Sequence, residues 1–127
     1  MCSEIYPGTC ILLPKPGSKE KHLWIVLTEP DEELNVVIVN LTTRRSGSDT
    51  TVILNQGDHP FIRHPTVVHY SDARKAPAKA LQQIANRPEY DYHDDLEDEI
   101  LERIKEGLFQ SQETKPAIRD YCLRRLA

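Results

Sequence analysis

The chain has few cysteines, no long apolar run and no basic, apolar leader, and each lack removes a class of protein. Three cysteines, an odd number with no C-x-x-C spacing, argue against a disulfide framework and against a structural zinc site. Cys10 and Cys122 read instead as small apolar fillers. The longest apolar runs, Leu23–Leu27 and Val36–Val39, are of strand length and far short of a membrane span. The opening Met-Cys-Ser-Glu-Ile-Tyr lacks the regions of a signal peptide, so a cytoplasmic address is expected. No internal repeat or low-complexity tract is present. What remains, 127 residues with 39% hydrophobic and 28% charged side chains, suits one modest core plus an appendage.

A net charge of −4 does not suggest a nucleic-acid binder, but the charges are unevenly spread. Lys15, Lys19, Lys21, Arg44, Arg45, Arg63 and Arg74 lie in the first part, whereas Glu89–Glu102 is strongly acidic. An anion site followed by a solvated or partner-facing acidic segment produces such a split, as do charged side chains that merely fall on loops.

Hydrophobic patterning predicts five short strands: Gly8–Leu13, His22–Thr28, Leu34–Thr42, Thr50–Leu54 and Thr66–Tyr70. In the second, Leu23, Ile25 and Leu27 share one face and His22, Trp24 and Val26 the other. The third is so continuously apolar that both faces must be covered. Short strands at this spacing, with no helix between them, imply an antiparallel, strongly curved sheet or small barrel. Three helices are expected next: Ala76–Arg87, one capped by Asp94 or Asp95 with a Leu96, Ile100, Leu101, Ile104, Leu108 stripe, and one from Thr114 and Pro116. The fold class is therefore mainly β with α, residues 1–76 forming the β unit and 77–127 a helical extension packed on it or on a partner.

Histidine at the mouth of a strand, hydroxyls at the end of its neighbour and lysines around them suit phosphodiester chemistry. His22, the pair Thr42–Thr43 and His69 provide that set. The order of the elements also resembles the PemK/MazF family of toxin endoribonucleases from toxin–antitoxin pairs. Gly8–Leu13, Pro14–Lys21 and His22-Leu-Trp-Ile-Val-Leu27 stand where that family has its first strand, polar loop and R-P-V-L-V-I strand. Val39-Asn-Leu-Thr-Thr43 resembles its P-V-T-T-like segment, and His64-Pro-Thr-Val-Val-His-Tyr-Ser-Asp-Ala-Arg74 its K-P-S-V-V-R-x-D-Q-I-R strand. The resemblance covers roughly residues 6 to 76 and implies a small SH3-like barrel.

It also implies cleavage of single-stranded RNA by 2′-hydroxyl attack without a metal or other cofactor. His22, Thr42, Thr43 and His69 fall on the catalytic positions, with histidines where the family has arginines. An arginine does not lose its proton in a protein, whereas histidine titrates near pH ~6.5 and serves as base or acid. Lys15, Lys19, Lys21, Arg44 and Arg45 are expected to hold backbone phosphates and Trp24 to stack on a base. The implied partners are single-stranded RNA, a cognate antitoxin and a second copy of the chain. The alternative is a non-catalytic interaction module that binds a protein or nucleic acid. Each candidate has a plainer reading: a surface histidine satisfied by water, threonines that end a strand, a core tryptophan. A DNA-binding regulator is disfavoured because no helix clusters Arg or Lys. His59, His64 and His69 recur at five-residue intervals, but Pro60 and Pro65 interrupt any shared helix and no carboxylate spacing completes a metal site.

Overall fold

A computed structural model of the chain describes residues 5–14, 17, 20–85, 92–93 and 95–126. The strands are β1 (Cys10–Pro14), β2 (Lys21–Val26), β3 (Asn35–Thr43), β4 (Ile53–Leu54), β5 (Thr66–Pro77) and β6 (Tyr92–His93). The helices are α1 (Ala78–Ala85), α2 (Asp98–Gln110) and α3 (Pro116–Leu126). The strands form one antiparallel sheet in the order β4-β5-β3-β2-β1-β6, curled into a half-barrel. β6 lies in the expected helical extension, in the gap between its first two helices, and it pairs Tyr92 and His93 with Ile11 and Cys10. Among the described residues no helix is long and apolar enough to cross a membrane.

Alternation along β2 and β3 divides the core in two. Leu23, Ile25, Val37, Val39 and Leu41 pack on one face with Leu96, Ile100, Ile104 and Leu108. Trp24, Val26, Val36 and Ile38 pack on the other with Ile11 and Leu81 of α1. Both faces of β3 are thus covered, as its unbroken apolar run requires. Each fully buried Leu or Ile contributes roughly 1.5–3 kcal/mol relative to an exposed one, and Leu23, Ile25, Ile104 and Leu108 are all at 0% exposure.

β5 runs well past the expected end at Tyr70 because it contains an irregularity that hides its periodicity. Against β3, His69 pairs with Asn40 and Arg74 with Ile38. Between those pairs β3 has one residue, Val39, and β5 has four, Tyr70 to Ala73. The surplus bends the strand sharply. It also lets Ala73, three residues beyond Tyr70, join the same core. Tyr70 shares the core face with Val68, as alternation requires, and its hydroxyl donates to the Ile104 carbonyl at 2.7 Å. Burial pushes that phenol far above its ordinary titration range.

Asp95 does not cap α2. The residue at the N-cap is Glu97, which makes no side-chain capping bond. Asp95 instead accepts from the Tyr6 hydroxyl, and the buried Leu96 donates its N–H to the Gly8 carbonyl. Docking onto the sheet has overridden local capping. Thr114 donates to the Leu108 carbonyl at 2.7 Å and closes the end of α2. α3 buries Ile118, Tyr121 and Cys122. The Tyr121 hydroxyl donates to Asp31 at 2.6 Å, tying α3 to the turn between β2 and β3. Burial first, and then that bond, push the Tyr121 phenol up to about 12.

Gly107 packs tightly in α2: a Cβ there meets Val52 Cγ2 at 2.5 Å and collides with the Tyr70 hydroxyl. Gly107→Ala is therefore expected to destabilise by about 1–3 kcal/mol or more through overpacking, although alanine is the better helix former. Urea unfolding checks this against Glu106→Ala, an exposed neighbour expected to change stability by less than about 0.5 kcal/mol.

Candidate functional site

Antiparallel pairing brings three chain positions to one end of the sheet. β2 begins there with Lys21 and His22, β3 ends there with Thr42 and Thr43, and β5 begins there, with Thr66 opposite Thr43. Residues 59–65 lead into β5 and wall the same end. The paired register of β2 and β3 starts at Trp24 and Asn40. Beyond that point the His22 ring takes over, its Nδ1 lying 3.1 Å from the Leu41 carbonyl. A carbonyl only accepts, so Nδ1 carries the hydrogen and Nε2 holds the lone pair of the neutral ring.

His22 is half-buried in a depression of about 190 Å³. Thr42, Thr43 and a second histidine, His64, line it as well, together with the cations Lys21, Arg45 and Arg63. Glu20 is the one carboxylate among its lining residues. His64 is held by its Nε2, 2.9 Å from Thr43 Oγ1, and by its carbonyl, which accepts from the Thr66 hydroxyl at 2.9 Å. Three cations around two imidazoles and two hydroxyls make a site for an anion with exchangeable protons.

His69 lines a neighbouring depression of about 350 Å³, which shares Thr42, Thr43 and Arg45 with the first. Its lining includes Asp49, Ser71 and Glu113, so its charge is opposite in character. His69 Nδ1 lies 3.4 Å from Asp72 Oδ2. Residues i and i+3 of a regular strand point to opposite faces, and only the bend in β5 lets these two meet. Asn40, wholly buried, donates its amide to the same Asp72 oxygen at 3.1 Å, while its own Oδ1 has no hydrogen-bond partner. Burial works to raise the Asp49 carboxyl, but hydrogen bonds from Ser111 and Thr51, aided by nearby His69, outweigh it and hold the group below the usual 3.8.

Of the expected site residues, His22, Thr42, Thr43, Lys21 and Arg45 meet in one depression. His69 stands across the Thr42–Thr43 divide with its carboxylates. Arg44 is exposed, its N–H on the Pro65 carbonyl at 3.1 Å, and lines neither depression. Trp24 is only 3% exposed and donates its indole N–H to the Leu13 carbonyl, so it has no face to offer a base. Lys15 and Lys19 lie outside the described residues. His64 and the half-exposed Phe61 were not foreseen at the site, and Arg63 was foreseen only as one of the cations of the first part of the chain. Their signal was faint: a histidine one residue before the proline that opens β5, in a segment without periodicity. His59, His64 and His69 are dispersed. His59 is buried and accepts the Phe61 N–H on Nδ1 at 3.0 Å, and among the described residues no group of three His, Cys, Asp or Glu is placed to hold a metal ion.

Comparison with protein-family models, with curated proteins and with solved structures finds no match to this chain.

The Asp49 contacts carry a pH signature. Its folded value is depressed, so its stabilisation is present above the unfolded value of 3.8 and is lost as pH falls through the folded one. Ser111→Ala removes a donor and is expected to move the Asp49 carboxyl back toward 3.8, as carbon-detected NMR titration would read. The stability gap between the variant and the parent chain should narrow as pH drops below about 4. A gap independent of pH would mean that Ser111 acts only through the Glu113 N–H it accepts.

Proposed function

We propose that this end of the sheet binds single-stranded RNA and cleaves it by attack of the ribose 2′-hydroxyl, in the manner the PemK/MazF resemblance implies. The observation that carries the proposal is the convergence of His22, His64, Thr42 and Thr43 with Lys21, Arg45 and Arg63 around one depression. His22, with Nδ1 committed to the Leu41 carbonyl, takes the 2′-hydroxyl proton on Nε2. The 2′-oxygen attacks phosphorus and the bond to the 5′-oxygen breaks, giving a 2′,3′-cyclic phosphate. His64, held by Thr43, returns a proton to the leaving 5′-oxygen. The cations offset the charge that builds on the phosphoryl oxygens. This assigns the acid to His64 rather than to His69. Both proton transfers are met by side chains, so the reaction is read as metal-independent. From the resemblance alone, a cognate antitoxin and a second copy of the chain are proposed as protein partners.

A second reading, a non-catalytic interaction module, draws support from a separate depression of about 630 Å³ between β5 and α3. Arg74, Lys75, Lys115 and Arg124 line it with Ile118 and Tyr121, Asp120 is its one carboxylate, and no histidine is among its lining residues. That surface suits an acidic protein segment.

Incubation of the protein with a long RNA, in the presence of chelator, tests the first reading. Cleavage is expected to follow a bell-shaped pH curve with limbs at about pH 5.5 to 7.5, since one histidine must be neutral while the other is charged. His22→Ala and His64→Ala should each lower the rate roughly 10²- to 10⁴-fold, and His69→Ala much less. Lys21→Ala should weaken binding and reduce its salt dependence by about one phosphate contact. DNA of the same sequence should stay intact, because it lacks the nucleophile. RNA left whole at every pH would favour the interaction module. Activity unchanged by pH in a His22→Ala, His64→Ala double variant would remove both proton-transfer roles.

A further inference from the structure

We infer that Phe61 is a base-stacking platform at the rim of the His22–His64 depression, so that the site takes an unpaired nucleobase along with its phosphate. The inference rests on the RNA reading and adds to it what the site recognises. Phe61 is 40% exposed, one of few large apolar side chains so placed, and it lines the depression beside Arg63 and His64. The indole expected to stack is instead buried, with its N–H committed to the Leu13 carbonyl. Besides the two imidazoles, Phe61 is the aromatic ring among the residues that line this recess.

The backbone that carries the ring is fixed by its neighbours. His59 is 4% exposed, and its Nδ1 accepts the Phe61 N–H at 3.0 Å. The His59 carbonyl accepts the Ile62 N–H at 2.9 Å, and Ile62 anchors the turn in the core at 4% exposure. A turn fixed on both sides of Phe61 holds its backbone in place, so little ordering entropy remains to be lost on binding. The local chemistry also selects the ligand. An exposed phenylalanine alone is unremarkable on a protein surface, but one set among Lys21, Arg45 and Arg63 matches a ligand with an anionic link and a planar apolar ring. Aromatic faces interleaved with backbone-tracking cations are how single strands are held without sequence readout. The recess, at about 190 Å³, is smaller than the roughly 300–1,000 Å³ of a drug-sized ligand site. It suits one base at a time.

The test uses the full chain and a short single-stranded 2′-O-methyl oligonucleotide, which cannot supply the nucleophile and so reports binding alone. A matched oligonucleotide with abasic sugars serves as the second probe. Phe61→Ala and Phe61→Leu should each weaken binding of the base-carrying strand roughly 5- to 150-fold, because leucine keeps the apolar bulk but has no π face. Phe61→Tyr should restore it. The abasic strand should bind the parent chain about as weakly as the intact strand binds Phe61→Ala. The slope of affinity against salt should stay unchanged in the Phe61 variants and fall by about one in Arg63→Ala. Equal binding of both strands, or full affinity in Phe61→Leu, would overturn the stacking role and leave the RNA reading standing. Failure of the parent chain to bind either strand would overturn both.

Discussion

The bend in β5 is the constraint on which the rest of the molecule depends. Four residues of β5 face one of β3, and the surplus can be absorbed only by turning the strand. Turning it brings Ala73 into the same core as Val68 and Tyr70, whose hydroxyl finds the Ile104 carbonyl where Gly107 leaves room for the ring. The same bend puts Asp72 against His69 and swings Arg74 over the Trp24 ring, 5.5 Å from its centroid. Core packing and the geometry of the His69 depression therefore share one cause. A change that straightened β5 would disturb both at once.

Holding that geometry has local costs. Asn40 is wholly buried with an unsatisfied Oδ1, an arrangement that costs about 1–3 kcal/mol where no partner intervenes. Its amide nitrogen is the part that serves, since it fixes Asp72 and through it His69. Leu34 is a second irregularity, with φ at +63 where an L side chain is crowded. Asp31 compensates there, accepting the N–H groups of Glu33 and Asn35 on one oxygen, both at 2.9 Å. With its other oxygen it takes the Tyr121 hydroxyl. The turn is closed by its own residues, with Asp31 N–H also donating to the Asn35 carbonyl at 2.9 Å, and α3 ties it down from outside.

Much of this was legible in the sequence because period-two patterning survives translation into a sheet. The division of Leu23, Ile25 and Leu27 from Trp24 and Val26, and the double burial of β3, follow from side-chain alternation alone. Patterning failed where tertiary contacts override local signals. Patterning ends the fifth strand at Tyr70 because nothing in Ser71 and Asp72 announces a bulge. Asp95 was a good capping residue in the wrong place, since Leu96 must dock against Gly8 before the helix can start. β6 is two residues long, too short to carry a period. At the site, His22, Thr42 and Thr43 were readable because strand ends are readable. His64 and Phe61 lie in an aperiodic segment whose position is set by a buried histidine.

The two histidines first paired by sequence, His22 and His69, turn out to sit in unlike electrostatic surroundings. An anionic phosphate near His69 meets Asp49 and Glu113 on the walls and Asp72 at the ring. Near His22 it meets Lys21, Arg45 and Arg63. At effective dielectric constants near a surface, unit charges about 4 Å apart interact by roughly 4 kcal/mol, so the sign of the wall decides where the phosphate goes. Arg45 lines both depressions and can reach a phosphate from either side of the Thr42–Thr43 divide. On the proposed RNA reading, the phosphate is therefore expected beside His22 and His64. On the same reading, the hydroxyl-rich recess beside His69, with Ser46, Ser48 and Ser71 on its walls, is better matched to a neutral group than to a phosphate.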